Sequence, residues 1–163
     1  MANKSAILIP TIIGAIIIGI LGIVFIPHDK KTKDIDFPLG TVKIDDKVMT
    51  VEVADEPITK RIWLMFRDKR IPYNSAMLLV YDNLGLYSIR MLNIQYNLDL
   101  LWFDEKGNLV YMKENVEPCK FVLDPNSCTY KNILPSKYVM ASTSGFIKYN
   151  NITINSSLAI ISI

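Results

Sequence analysis

The chain has 163 residues, 18 Lys+Arg against 16 Asp+Glu, one His and two Cys, and half of it is apolar. It is too apolar and too sparsely charged to be disordered, and a net charge of +2 leaves no electrostatic footprint for nucleic acid. One His and two Cys exclude iron–sulfur clusters and zinc sites built mainly from Cys and His.

Residues 1–5 form a short tail. From Ala6 to Ile26 run 21 residues without a charge. As a helix they would span about 31 Å, the thickness of a bilayer core. A soluble helix needs a polar face, and this segment has none. It is also longer than the core of a signal peptide, and it leads into Phe25-Ile26-Pro27-His28, a poor cleavage site. The reading is an uncleaved, single-pass anchor over residues 6–26, with the lipid bilayer as its partner. Pro10 falls near the first turn, where a missing N–H does least harm. Ala15 and Gly19 give a small-residue spacing that is common in membrane helices.

Orientation is contested. Lys30, Lys31 and Lys33 follow the helix and only Lys4 precedes it, which by Lys and Arg count places the rest of the chain inside. A long C-terminal domain translocates despite modest flanking charge. Residues 27–39 are a polar, Lys-rich tether, and residues 40–163 are the domain proper. From Ile35 to Ile163 there are 14 Lys+Arg and 14 Asp+Glu, so the excess positive charge sits beside the anchor.

The domain's signals are mostly β. Thr41–Ile44 and Val48–Val53 flank Asp45-Asp46-Lys47, a hairpin pattern. Met49, Val51 and Val53 alternate with Thr50 and Glu52, so one face is buried. Asp55 reads as a cap for a short amphipathic helix carrying Ile58, Ile62, Met65 and Phe66 at helical spacing. Met77–Tyr81, Tyr87–Leu92 and Leu98–Phe103 are strand-like, and Asp104–Asn108 turns the last into Leu109–Met112. Tyr138–Ala141 and Ser157–Ile163 complete the set. Many short strands and one helix predict a mostly β sandwich or small barrel.

Val51-Glu-Val-Ala-Asp55, Leu64-Met-Phe-Arg67, Met91-Leu-Asn93 and Leu98-Asp99 form an ordered series. Pro72 with Ala76-Met77-Leu78, Pro118-Cys119 with Cys128-Thr-Tyr130, and Lys137-Tyr138-Val139 extend it over residues 48–163. The series resembles the family called domain of unknown function 192. The resemblance implies a jelly-roll-like β sandwich, usually behind a signal peptide or anchor, with no established activity. Trp63, Ala76 and Asn155-Ser156 stand where the family usually has glycine, which suggests a divergent member.

Cys119 and Cys128 close a short loop containing Pro125, with Pro118 just before it. In an exported domain they read as a disulfide, and in a cytosolic one as two thiols. Asn151-Ile-Thr153 and Asn155-Ser-Ser157 fit the glycosylation sequon and favour an outside location. Asp99 shares a strand face with Leu101 and Phe103, where a carboxylate needs a cation or several donors. Arg67 is the preferred cation and Arg90 the other. Arg67, Met91, Asn93 and Asp99 therefore make the candidate pocket. Of the aromatics, Trp63 lies off the helix's apolar stripe and is the expected exposed ligand contact, with Tyr130 a second. No nucleophile, phosphate-loop, dinucleotide, metal or cofactor signature is present.

Two functions fit. The first is an extracytoplasmic, membrane-tethered domain that binds an envelope component, a polymer or a protein partner, or has a structural role. The second is a hydrolase or transferase using Asp99 as acid–base group, since carboxylate mechanisms need no His.

Overall fold

In the computed structural model, residues 36–119 and 128–163 are described. The expected anchor and most of the tether lie outside the described residues. Among the described residues no helix is long and apolar enough to cross a membrane.

The predicted hairpin is β1 (Leu39–Ile44) and β2 (Lys47–Ala54), turned at Asp45, which holds a positive φ of 52°. Helix α1 (Pro57–Ile62) follows, then β3 (Ser75–Gly85), which pairs parallel with β2. Strand β4 (Ser88–Arg90) leaves the main sheet. Strands β5 (Leu98–Phe103) and β6 (Leu109–Val116) form the second predicted hairpin. Strand β7 (Thr129–Lys131) pairs with β4, and β8 (Ser136–Thr143) returns between β5 and β3. Helix α2 (Phe146–Asn150) and β9 (Leu158–Ser162) end the chain, with β9 paired to β1. The main sheet has seven strands in the order β6-β5-β8-β3-β2-β1-β9, and β4-β7 make a two-stranded sheet.

Alternation sends each strand's side chains to two apolar clusters. Met77 and Leu79 of β3, Leu98, Leu100 and Trp102 of β5, and Val139 and Ala141 of β8 enter one. Ala76 and Leu78, Leu101 and Phe103, and Met140 enter the other. The central strands are thus covered on both faces, which is why β5 is wholly buried and is apolar at every position but Asp99. Strands β1 and β2 bury mainly one face, through Val42, Ile44, Met49, Val51 and Val53, and β2 adds Ala54 to the other cluster at its end.

The fold is mostly β, but the sheet stays open. Its two edges approach each other at a single bridge, Asn108 to Ser157, where Leu158 N–H donates to the Gly107 carbonyl at 2.7 Å. Among the described residues no ladder closes a barrel.

The helices differ from expectation. The N-cap of α1 is Glu56, not Asp55, and the Thr59 hydroxyl both accepts from the Glu56 N–H and donates to its carbonyl. The helix stops at Ile62 and buries none of its residues, because tight turns over Ile62–Arg67 replace its expected last turn. Strand β7 and helix α2 are additional elements.

Gly107 is the tightest point of the edge contact. It holds φ +82°, and a Cβ there would lie 1.9 Å from the Leu158 carbonyl oxygen. Gly107→Ala should therefore cost more than about 1 kcal/mol, read as a lowered urea midpoint. An unchanged midpoint would mean the two edges separate freely.

Candidate functional site

The expected pocket is divided by the sheet. Asp99 points to the side holding Leu101 and Phe103, and Met91 lies in the cluster on the other side. Asp99 is 1% exposed. One carboxylate oxygen accepts the Asn115 N–H at 2.9 Å, and the other accepts the N–H groups of Gly145 and Ile147 at 3.0 and 2.9 Å. The expected Asp99–Arg67 pair is replaced by these backbone donors. The β5–β6 register shifts between Leu98 and Leu100, so Asn115 sits in a bulge with a positive φ of 51° and its N–H needs a partner. Gly145 and Ile147 begin α2, whose first N–H groups also lack helical acceptors. A carboxylate sealed among three amide donors gives no support to the acid–base role of Asp99.

Arg67 instead forks onto Glu52, with its two terminal nitrogens 2.7 and 2.6 Å from the carboxylate oxygens. Both side chains are about a quarter exposed, at 26% and 27%. Glu52 lies on the face of β2 opposite Val51 and Val53, so alternation located it but gave no sign of its partner. Tyr96 lies beside this pair. Burial raises its hydroxyl pKa above the ordinary 10, while the Arg67 guanidinium pulls it down. Arg90 is in β4, opposite Thr129.

The two aromatic expectations are reversed. Trp63 is 5% exposed and belongs to the core, whereas Phe66 is 57% exposed. The cause is the early end of α1 at Ile62, beyond which helical spacing no longer sets the direction of either side chain. Phe66 also holds a positive φ of 60°. The other non-glycine residues with positive φ are Asp45, Asn93, Asn115 and Asn151, types that tolerate this region, whereas a bulky aromatic there is an outlier. The Phe66 N–H donates to the Asn93 carbonyl at 2.8 Å, and Asn93 is itself left-handed, at φ 55°. Two left-handed turns thus lock together and hold an aromatic ring outward beside the Arg67–Glu52 fork. Of the expected pocket, Asn93 meets Phe66, the neighbour of Arg67, through its backbone carbonyl.

Met91 is fully buried and joins the two cysteines. Its N–H donates to the Cys128 carbonyl, and its carbonyl accepts the Cys119 N–H. Cys119 and Cys128 form a disulfide with their Cα atoms 5.1 Å apart. Tyr130 is half-buried, pairs with Ile89 across β4–β7, and carries Lys113 Nζ 4.7 Å from its ring centre. Asn151 and Asn155 are both exposed. Among the described residues no group of three His, Cys, Asp or Glu is placed to hold a metal ion.

Asp99→Asn replaces one acceptor oxygen with a donor facing backbone N–H groups. It should lower stability by about 3 kcal/mol, measured by denaturant unfolding. A variant as stable as the parent would show that the buried carboxylate is dispensable to the fold.

Two solved structures share this architecture. A proposed transcription regulator from Sinorhizobium meliloti 1021 aligns with a TM-score of 0.68 at 20% identity, over 78% of this chain and 97% of its own. A protein of unknown function from Novosphingobium aromaticivorans DSM 12444 aligns with a TM-score of 0.67 at 15% identity, over 76% of this chain and 86% of its own. At these identities the likeness is one of fold. No functionally curated protein is matched by the sequence. The family model DUF192, described as Uncharacterized ACR, matches residues 40–160, and the chain therefore belongs to the DUF192 family.

Proposed function

We propose that this DUF192 domain is a binding module, tethered to a membrane through residues 6–26 and held outside the cytoplasm. Its recognition surface is the ridge formed by Phe66, the Arg67–Glu52 fork and Asn93. The ligand is an envelope component or protein partner that offers an apolar group to Phe66 and polar groups to the fork. The observation that carries this reading is the outward, left-handed Phe66. Backbone strain of this kind persists where something other than stability maintains it. The Cys119–Cys128 disulfide supports the location, because such bonds persist in oxidising compartments. The exposed sequon residues Asn151 and Asn155 are compatible with it.

Two measurements test the reading. Phe66→Gly relieves a left-handed penalty of about 1–2 kcal/mol against a glycine entropy cost of about 0.5–1 kcal/mol. The variant should therefore unfold at a slightly higher temperature than the parent. A clear drop would make Phe66 a structural residue and remove the main support for the ridge.

Location is read in intact cells with a membrane-impermeant maleimide. Labelling through the half-buried Cys119 should require an impermeant reductant and should not require lysis. Labelling only after lysis, without reduction, would place the domain in the cytoplasm.

A further inference from the structure

We propose that one corner of the domain, carrying Leu84, Leu86, Ile133 and Leu134, rests on the surface of the lipid bilayer. This inference rests on the reading of residues 6–26 as a membrane anchor.

The corner is built where both chain segments cross from the small sheet to the main one. Strand β3 ends at Gly85, opposite Ser136 of β8, and Ser88 of β4 lies opposite Lys131 of β7. Two turns therefore lie side by side, one over residues 85–88 and the other over 131–136. Buried Asn132 fastens them: its side-chain NH2 donates to the Leu134 carbonyl, to the Ser136 hydroxyl at 2.9 Å and, at 3.5 Å, to the Gly85 carbonyl. The Tyr87 hydroxyl donates to the Asn83 carbonyl at 2.6 Å, and its ring stacks on Tyr81 with centres 3.5 Å apart. These contacts hold the turns inward, and the apolar side chains are left outward. Leu84, Leu86, Ile133 and Leu134 are 47%, 64%, 75% and 54% exposed. Lys131 and Lys137 flank them, with Asp82 as the neighbouring acid.

The path of the chain selects the occupant. The Pro38 carbonyl accepts the Val53 N–H, and Val53 is opposite Leu78 of β3. Strand β1 therefore leaves the same end of the sheet toward which β3 runs. Val80 is opposite Tyr138 and Gly85 opposite Ser136, so five steps along β3 match two along β8, and Leu84 projects at most about 13 Å beyond Leu78. Ten residues, 27–36, separate Ile26 from Phe37, and they reach at most about 36 Å. The tether is long enough to clear the projection and short enough to keep this end of the sheet near the membrane. Apolar side chains ringed by tyrosines and lysines are what an interfacial contact requires.

The test uses the full chain in vesicles of phosphatidylcholine and phosphatidylglycerol, with and without brominated acyl chains. Native Trp63 and Trp102 are buried at 5% and 0% exposure and give a constant background. Leu134→Trp, and independently Leu86→Trp, should lose emission in brominated vesicles. Val48→Trp, at the opposite end of β2, should not. If neither corner variant is quenched while the chain resists alkaline carbonate extraction, the corner faces water and the anchor reading stands alone. A blue shift that depends on protein concentration but not on bromine would assign the corner to a second copy of the chain and overturn the proposal. Release of the chain by carbonate would overturn the anchor reading, and this inference with it.

Discussion

The carboxylate of Asp99 is the constraint on which the architecture turns. It lies on β5, yet its oxygens satisfy the bulge in β6 and the opening turn of α2. Both are places where backbone geometry strands an N–H group inside the protein, and an unpaired buried donor costs as much as a lost hydrogen bond. One side chain thus lets β6 bend and lets the chain turn from β8 into α2 beneath the sheet. Phe146 and Ile147 then fill the apolar side facing α2. Around the same end, the Thr143 hydroxyl donates to Ile71, the Ser142 hydroxyl to Ser75, and the Asn150 side chain to Tyr73. The polar residues of this rim fasten loops.

Much of the β framework was legible in the sequence. The alternation of Met49, Val51 and Val53 identified β2 and its buried face. The run Leu98–Phe103, apolar but for Asp99, identified a strand, and the Asp104–Asn108 turn identified its hairpin. Elements without a period were silent. Strand β7 has three residues, and α2 has five, of which Phe146, Ile147 and Asn150 are buried. The reversal of Trp63 and Phe66 has a specific cause. Helical spacing predicts faces only while the helix lasts, and α1 ends one turn early.

The candidate site was less legible, because spacing along one strand does not say which face of a two-sided sheet a distant residue will meet. Asp99 was correctly placed on the face of Leu101 and Phe103. Arg67 arrives on the segment covering the opposite cluster, where Glu52 waits on the outward face of β2. The strained Phe66 was invisible, since nothing in Leu64-Met-Phe-Arg67 announces a left-handed residue. Cys119 and Cys128 were the clearest signal, although their union with the Met91 backbone depends on tertiary packing.

The pairing of β1 with β9 has a consequence for biosynthesis. The first strand of the domain is completed by the last one, across nearly its whole length. A nascent chain can form the β1–β2 hairpin early, but the far side of β1 has no neighbour until residues 158–162 emerge. During that interval β1 presents an open row of backbone donors and acceptors, a template for mispairing. The closing contact at Gly107 and Leu158 must wait for the same residues. Completion of this sheet therefore waits until residues 158–162 have been made, and a chain cut before Ser157 would leave β1 and the Gly107 turn without these partners.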